Sequence, residues 1–223
     1  MSDLVLYNYF RSSTSYRARI ALHHKSLAFE YKPVHLLNNG GEQNSDEYKR
    51  LNPAGEVPTL IHMGKAIGQS MAIIQYLEDL FPQNPLLPKN SYEKAKVLQV
   101  SEGINCGHSL TNLKVMAKLQ KDYSLLDEQK KEWTQSWMNK LLESCEKQIK
   151  STTKTYAFGD EVTVADLFII PFLFSAERFE VDISRYPLIA KIKLNCLKLE
   201  SFQKAHPMNQ IDTPAELKNQ PKK

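Results

Sequence analysis

The chain contains 223 residues, of which 42% are hydrophobic and 24% are charged, and its formal net charge is +4. These values are typical of an ordinary globular protein with room for one large domain or two modest ones. The mild positive charge does not indicate a nucleic-acid or membrane partner, although it suits a small anionic ligand. No stretch approaches the ~20 apolar residues of a membrane helix, so we expect neither nucleic acid nor a membrane among the partners.

Cysteine usage indicates a reducing environment. Cys106, Cys145 and Cys196 are odd in number, far apart and without CxxC or zinc-type spacing. Reduced thiols in a cytoplasmic protein are the simplest explanation, and we interpret each cysteine as a small core residue, with no metal site. The start of the chain lacks the basic segment, apolar core and small-residue cleavage site of a secretion signal, so none is predicted.

The first predicted strand, residues 4–9, leads into a helix over 16–22. Between them, Ser12, Ser13 and Thr14 occupy the start of the helix, where unpaired backbone N–H groups and the helix dipole favour an anion. Ser and Thr are also common N-cap residues in any helix. From this segment alone, ordinary capping is the better interpretation.

The next stretch alternates short strands with a polar helix. Strands are predicted at 29–34, 59–63 and 65–67, and a helix is predicted at 42–51, directly after a Gly-Gly break.

Val57 and Pro58 stand just before the third strand and form a candidate cis peptide at a tight turn. A cis turn would direct the Val57 backbone N–H and C=O outward, where they could pair with an extended peptide ligand. A plain edge-strand proline is the alternative.

A third helix is predicted over 70–80, where apolar residues recur at helical spacing. Gln69 and Ser70 stand at its start, where N–H groups and a hydroxyl can bind a carboxylate. A serine cap is the simpler alternative. However, two helix starts with hydroxyls and a Val-Pro turn within one small α/β domain favour a shared ligand.

Pro82 precedes a connector over 83–91, which contains Pro85 and Pro88 and cannot be helical throughout. The composition changes there, which predicts an α/β domain over 1–82 and an all-helical domain over 92–223. Within the second domain, long amphipathic runs predict helices at 92–121, 127–150, 164–178 and 187–205.

Thr163 and Asp166 form a capping-box pattern before the apolar run 167–174. In such a box the hydroxyl and the acidic side chain bind the backbone N–H groups at the start of a helix. We therefore predict that this pair starts a core helix and do not include it in the site.

Seven segments together match the pattern of one known family: Arg11–Leu22, Leu51–Leu60, Gln69–Ile74, Leu86–Pro88, Gly159–Asp166, Ala176–Asp182 and Tyr186–Pro187. From Leu4 to about Leu217 the chain resembles the glutathione transferases, and more narrowly their zeta class, the maleylacetoacetate isomerases. Val-Pro, Gln-Ser and the Asp166 segment occur in many glutathione transferases. The Arg-Ser-Ser segment and Ala-Glu-Arg-Phe-x-Val-Asp are narrower, and they decide the class.

The resemblance implies a thioredoxin-like N-terminal domain, built as a four-stranded mixed sheet with three helices, followed by an all-helical domain. It implies glutathione as the cofactor, with Ser12 hydrogen-bonding the sulfur and with Ser13 and Thr14 beside it. Matching family positions assign the glycyl end of glutathione to Gln43, the cysteinyl backbone to Val57 in its turn with Pro58, and the γ-glutamyl end to Gln69 and Ser70.

Matching positions of the helical domain, His108, Asn112 and Arg178, would line the pocket for a small acidic substrate. Arg11 and Arg178 suit bidentate carboxylate binding, because a guanidinium stays charged and presents a planar pair of donors. A surface or interdomain ion pair is the alternative for each arginine.

The implied activity is the cis–trans isomerisation of maleylacetoacetate to fumarylacetoacetate in tyrosine and phenylalanine catabolism. A thiolate adds to the double bond, the bond rotates, and elimination releases the trans product. A helix start with hydroxyl donors favours the thiolate over the thiol, as this chemistry requires. Three alternatives remain open: a maleylpyruvate isomerase, a broader transferase acting on α-haloacids and small electrophiles, and a non-enzymatic binding module.

Thr14 departs from the usual zeta pattern, which has Cys at this place. Thr occurs there in the related glutathione-dependent maleylpyruvate isomerases, so the departure bears on the substrate more than on isomerase chemistry. Because residues 11–17 contain no cysteine, thioredoxin or glutaredoxin chemistry is excluded. The usual assembly of the family implies a homodimer.

Overall fold

The computed structural model describes residues 3–218, so positions 219–223 of the predicted helical domain lie outside the described residues. The strands are β1 (Leu4–Asn8), β2 (Glu30–Pro33), β3 (Thr59–His62) and β4 (Lys65–Gly68). The α-helices are α1 (Ser13–His24), α2 (Asp46–Leu51), α3 (Ser70–Leu80), α4 (Ser91–His108), α5 (Leu113–Tyr123), α6 (Asp127–Ile149), α7 (Val164–Arg178), α8 (Pro187–Cys196), α9 (Glu200–Ala205) and α10 (Ala215–Lys218).

The four strands form one mixed sheet in the order β2-β1-β3-β4. β1 runs parallel to β2 and antiparallel to β3, and β3 and β4 form a hairpin. Leu4 and Leu6 are buried, whereas Val5 between them is only partly buried, as the two-residue period of a strand requires. The parallel β1–β2 pair needs a crossover connection, which α1 supplies. The predicted four-stranded mixed sheet with three helices is therefore confirmed.

One predicted helix of this region is shorter than expected. The sequence predicts a helix over 42–51, but Glu42–Asn44 forms a 3-10 turn and α2 begins only at Asp46. Ser45 separates them because its backbone is extended and its hydroxyl caps α2 by accepting the Tyr48 N–H at 3.2 Å.

The chain divides into two units, and the division differs from the predicted one at the C-terminal end. The second unit spans Leu86–Cys196, whereas the segment from Leu197 onward belongs with the residues up to Pro85. In this first unit α9 packs on α1, where Tyr16 Oη donates to the Phe202 carbonyl at 3.4 Å. An amphipathic pattern predicts a helix but does not specify which neighbour it packs against.

The second unit is all-helical and is built around α7. Residues 164–173 of this helix are all buried, and it starts at the predicted capping box of Thr163 and Asp166, which is confirmed. The predicted helix over 92–121 is instead two helices, α4 and α5. They are separated because Asn112 has an extended backbone and its Oδ1 accepts the Val115 N–H at 2.9 Å.

The predicted helix over 187–205 is also two helices, α8 and α9, and the boundary between the two units falls between them.

The cysteines are not all core residues. Cys145 and Cys196 are buried, as predicted, but Cys106 is exposed, so the prediction is wrong for that residue. All three thiols are free. No helix within residues 3–218 combines the length and the apolar character needed to cross a membrane.

Candidate active site

The turn from β1 into α1 presents Ser12 at the start of the helix. Its backbone is extended and its Oγ accepts the Ser15 N–H at 3.1 Å, so Ser12 is the N-cap of α1. Ser13, the first residue of the helix, is only 5% exposed, whereas Arg11 and Thr14 are partly exposed. Among the three hydroxyls predicted here, Ser12 and Thr14 are therefore more open to a ligand than Ser13.

Ser12, Thr14 and Val57 are joined in a chain of hydrogen bonds, which we call the hydroxyl chain. Thr14 Oγ1 donates to the Val57 carbonyl at 2.8 Å and lies 2.9 Å from Ser12 Oγ. A carbonyl only accepts, so the single hydroxyl proton of Thr14 is directed at Val57. Ser12 must then donate to Thr14, and its proton has to turn away from Thr14 to reach a ligand.

The Val57-Pro58 peptide is cis, as the sequence predicts. Its two polar groups are not equivalent, however. The Val57 carbonyl already accepts from Thr14, whereas the Val57 N–H makes no hydrogen bond with any of residues 3–218. The N–H is therefore the more available group for an extended ligand.

The start of α3 presents hydrogen-bond donors from its backbone and from Ser70. Gln69 has a left-handed backbone, with φ of 66°, and no side chain caps the helix. The fully buried Arg17 reaches this end of α3 from α1, and its Nη1 donates to Ser70 Oγ at 3.3 Å. Because a guanidinium only donates, the hydroxyl proton of Ser70 remains available to a ligand.

A carboxylate stands beside the same helix start. Glu56 Oε2 accepts from Gln69 Nε2 at 3.2 Å. The backbone carbonyl of Glu56 is held in place by Tyr48 Oη at 2.7 Å and Asn52 Nδ2 at 2.9 Å. This end of the first unit thus offers both donors for a carboxylate and an acceptor for an ammonium group.

Gln43 lies in the loop before α2, with its side chain folded back. Its Nε2 donates to the Leu36 carbonyl at 3.3 Å, while its buried Oε1 accepts no hydrogen bond within the described residues. The loop that leads to Val57 approaches it closely, since a Cβ added at Gly55 would lie 3.0 Å from the Gln43 carbonyl oxygen.

The remaining predicted residues, His108, Asn112 and Arg178, belong to the second unit. His108 ends α4, and its ring meets Phe172 of α7 edge-on with centroids 6.1 Å apart. Asn112 caps α5, and Arg178 ends α7 with its guanidinium 5.8 Å from the Phe179 ring.

Sequence reasoning missed Arg17 and Glu56. The signal for Arg17 is weak: it lies with Arg19 in the otherwise apolar run of α1, where a charge needs a specific partner. Nothing in the local sequence distinguishes Glu56 from a solvated loop residue, because its contact with Gln69 depends on the fold.

Comparison with known proteins places both units in one family. Residues 2–79 match the glutathione S-transferase N-terminal domain, and residues 111–200 match the glutathione S-transferase C-terminal domain. Maleylacetoacetate isomerase of Rattus norvegicus is 43% identical over 215 residues, which are 96% of this chain and 97% of the rat protein. The chain belongs to the glutathione S-transferase family.

Two solved structures refine the assignment within the glutathione S-transferases. A holo maleyl pyruvate isomerase, a bacterial zeta-class enzyme, is 34% identical with a TM-score of 0.91, covering 94% of this chain and all of that one. Maleylacetoacetate isomerase of Methylobacterium extorquens AM1, solved with malonate and glutathione, is 30% identical with a TM-score of 0.90, covering 95% and 100%. The resemblance to the zeta class is therefore confirmed.

The residues of the first unit fit the cofactor of the glutathione S-transferases. Glutathione ends in a γ-glutamyl group that carries both a carboxylate and an ammonium, and Ser70 and Glu56 offer a donor and an acceptor at one helix start. Its peptide backbone needs an extended partner such as Val57, and its sulfur needs donors such as Ser12. Glutathione is the cofactor.

Proposed function

We propose that this chain isomerises maleylacetoacetate to fumarylacetoacetate, a cis–trans isomerisation in tyrosine and phenylalanine catabolism, with glutathione as the cofactor. The observation that carries the proposal is the hydroxyl chain at the start of α1, which contains no cysteine. The rat relative named maleylacetoacetate isomerase, which matches along nearly its whole length, supports the same substrate.

Ser12 and the start of α1 hold the reacting sulfur as an anion. When bound, glutathione would supply a thiolate for addition to the cis double bond. The former double bond would then be single and could rotate before elimination of the thiolate. The Ser12 hydroxyl donates to this sulfur, and the positive end of the α1 dipole favours its charge. The Val57 N–H binds the cysteinyl backbone beside it, in the turn with Pro58. Ser13 and Thr14 support this end of the helix.

The ends of the cofactor are bound by other groups of the first unit. Ser70, backed by Arg17, donates to the γ-glutamyl carboxylate together with the N–H groups at the start of α3. Gln69 binds beside it, and Glu56 accepts from the ammonium. Gln43 binds the glycyl carboxylate, for which its Nε2 must leave the Leu36 carbonyl.

Four residues recognise the acidic substrate. Arg11 and Arg178 bind carboxylates through paired N–H donors, and they stabilise the negative charge that develops on the substrate carbonyl. His108 and Asn112 add hydrogen-bond donors. The malonate in the structure of the Methylobacterium relative, a dicarboxylate, supports a substrate of this charge.

Maleylpyruvate is the second candidate substrate. Thr14 favours it, because the sequence has Thr where the usual zeta pattern has Cys, and the holo zeta-class relative is a maleyl pyruvate isomerase. A broader transferase activity on α-haloacids would use the same cofactor site.

An absorbance assay with maleylacetoacetate and maleylpyruvate side by side, with and without glutathione, tests the proposal. We expect isomerisation of maleylacetoacetate that depends on glutathione. Faster turnover of maleylpyruvate would transfer the assignment to the second substrate. Activity on neither compound would reject an isomerase of this class.

Replacement of Thr14 should change cofactor affinity more than turnover. In Thr14→Val the Val57 carbonyl loses its donor, so the loop that carries the Val57 N–H is held less firmly. One hydrogen bond contributes about 1 kcal/mol, so we expect the KM for glutathione to rise about fivefold with a smaller change in kcat. Thr14→Ser keeps the hydroxyl and should behave like the wild type. Equal KM values in the two variants would contradict this role.

We propose that the protein is a homodimer in the cytoplasm. The usual assembly of the family supports a dimer. Dependence on glutathione and three free thiols suit a reducing compartment. Sedimentation of the purified protein measures the assembly, and a monomer would reject the dimer.

A further inference from the structure

The turn that presents Ser12 is held from two sides by charged side chains, the buried Arg19 and the partly buried Asp212. Arg19 of α1 donates through Nη2 to the Phe10 carbonyl at 2.9 Å and through Nη1 to the Tyr9 carbonyl at 3.2 Å. On the other side, Asp212 Oδ2 accepts the Phe10 N–H at 2.9 Å. Both backbone polar groups of Phe10, two residues before Ser12, are thus bound by side chains.

Asp212 comes from the far end of the chain and is itself held firmly. Its second oxygen, Oδ1, accepts from the hydroxyl of Tyr31 in β2 at 2.5 Å. Burial raises the pKa of Tyr31, so this hydroxyl keeps its proton and remains a donor at neutral pH. Each carboxylate oxygen therefore has one fixed donor.

The backbone around Asp212 is anchored on the first unit. Thr213 Oγ1 donates to the Pro207 carbonyl at 2.6 Å, and Gln210 Nε2 donates to the Lys204 carbonyl at 2.8 Å. Both acceptors lie in or directly after α9, the helix that packs on α1. Asp212 is thus fixed relative to the helix that begins at Ser12.

Arg19 also connects the turn before Ser12 to α9. Its Nε donates to the Ala205 carbonyl at the end of α9, at 3.0 Å. Burial lowers the pKa of Arg19 to about 10, so the guanidinium remains charged at neutral pH. The turn before Ser12, the end of α9 and Asp212 therefore form one hydrogen-bonded assembly.

We propose that Asp212 is a positioning residue for catalysis, which holds the Phe10–Ser12 turn where the Ser12 hydroxyl can donate to the reacting sulfur. The proposal rests on the role proposed above for Ser12. A hydrogen bond to a thiolate weakens steeply as its distance and angle depart from the optimum, so a looser turn stabilises the thiolate less.

Asp212→Asn preserves the size of the side chain but removes its charge. The amide oxygen can accept the Phe10 N–H only if the NH2 group donates to Tyr31 Oη, and the hydrogen bond to Phe10 then loses its charged acceptor and weakens. Tyr31→Phe removes only the support of the second oxygen and leaves the Phe10 contact. We therefore expect both variants to loosen the turn before Ser12, and we expect the larger effect in Asp212→Asn.

The test is the pKa of the thiol of bound glutathione, followed by ultraviolet absorbance of the thiolate, together with kcat/KM for maleylacetoacetate. We expect Asp212→Asn to raise the thiol pKa by about one unit and to lower kcat/KM about tenfold at a pH below the wild-type thiol pKa, where the thiolate fraction falls tenfold for each unit. Tyr31→Phe should produce about a third of that shift.

Asp182→Asn is the matched control. Asp182 caps the 3-10 turn Ile183–Arg185 of the second unit by accepting the Ser184 N–H at 3.0 Å. Like Asp212→Asn, this variant therefore loses a carboxylate that accepts a backbone N–H. It should leave both readouts unchanged.

The outcomes separate this proposal from the one it rests on. An unchanged thiol pKa in Ser12→Ala would overturn the role of Ser12. A raised thiol pKa in Ser12→Ala, combined with wild-type values in folded Asp212→Asn and Tyr31→Phe, would overturn the role of Asp212. A lower melting temperature without a change in the thiol pKa would also overturn it, because it would show a purely structural role. If Asp212→Asn fails to fold, Tyr31→Phe decides alone.

Discussion

Replacing Ser12 by alanine should lower kcat for isomerisation by about 100- to 1000-fold, which is the usual cost of removing one preorganised donor to a reacting anion. The physical reason is that Ser12 Oγ, at the start of α1, is the donor that we propose for the reacting sulfur. The measurement is the absorbance assay at saturating glutathione, so that a change in binding does not enter the rate.

Ser45→Ala is the matched control for this variant. Ser45 caps α2 just as Ser12 caps α1, with its Oγ accepting the Tyr48 N–H at 3.2 Å. Both variants therefore lose a helix cap, at a cost of about 1 kcal/mol in unfolding free energy. Only Ser12→Ala should lose activity. Comparable turnover in Ser12→Ala and Ser45→Ala would contradict the role of Ser12.

Replacing Asp166 by alanine should lower the unfolding free energy more than any other substitution proposed here. The carboxylate is fully buried and accepts the Ala157 N–H at 2.9 Å, the Thr163 N–H at 2.8 Å and the Thr163 hydroxyl at 3.1 Å. Asp166→Ala leaves buried donors without an acceptor, so we expect a loss of about 3 kcal/mol in unfolding free energy. The melting temperature should fall by about 6–12 °C, as measured by calorimetry or circular dichroism.

Asp160→Ala is the control, since Asp160 is an exposed acidic residue in the loop before α7. Its carboxylate accepts the Thr155 hydroxyl and pairs with Lys154 in solvent, so its removal should lower the melting temperature far less than the removal of Asp166 does. Equal losses in the Asp160 and Asp166 variants would contradict the importance of burial.

The Asp166 variant should also change the dependence of stability on pH. Burial raises the pKa of Asp166 to about 6, against the effect of the surrounding N–H donors. The folded protein then keeps a proton that the unfolded chain releases near the ordinary aspartate value of 3.8, so the unfolding free energy falls as the pH rises from about 4 to 6. Asp166→Ala should lack this part of the slope.

The sequence predicts those features that depend on residues close together in the chain. The individual strands, the helix start at Ser12, the cis peptide before Pro58 and the capping box at Asp166 each follow from a local pattern of residues, whereas the mixed sheet is implied by the resemblance to the family. The break between α4 and α5 is also local, and Asn112 could have indicated it, but the amphipathic run across it conceals the cap.

Contacts between distant residues could not be predicted in the same way. Three contacts are of this kind, because only the fold brings their partners together: Arg17 with Ser70, Glu56 with Gln69, and Asp212 with the Phe10 N–H. The placement of α9 is of this kind as well. Its apolar pattern does not show which unit it packs on, whereas in the structure its carbonyls accept from Arg19 and Tyr16 of α1.

The first unit is discontinuous in the chain, and this has a consequence for how the protein is made. A ribosome that has synthesised residues 1–85 has not yet produced α9, so the buried Arg19 still lacks the Ala205 carbonyl and α1 still exposes the surface that α9 covers. The helical unit, Leu86–Cys196, is contiguous and emerges complete before the first unit does. The first unit therefore begins to be synthesised first but is completed last, and a fragment ending near Pro85 lacks the contacts that α9 makes with α1.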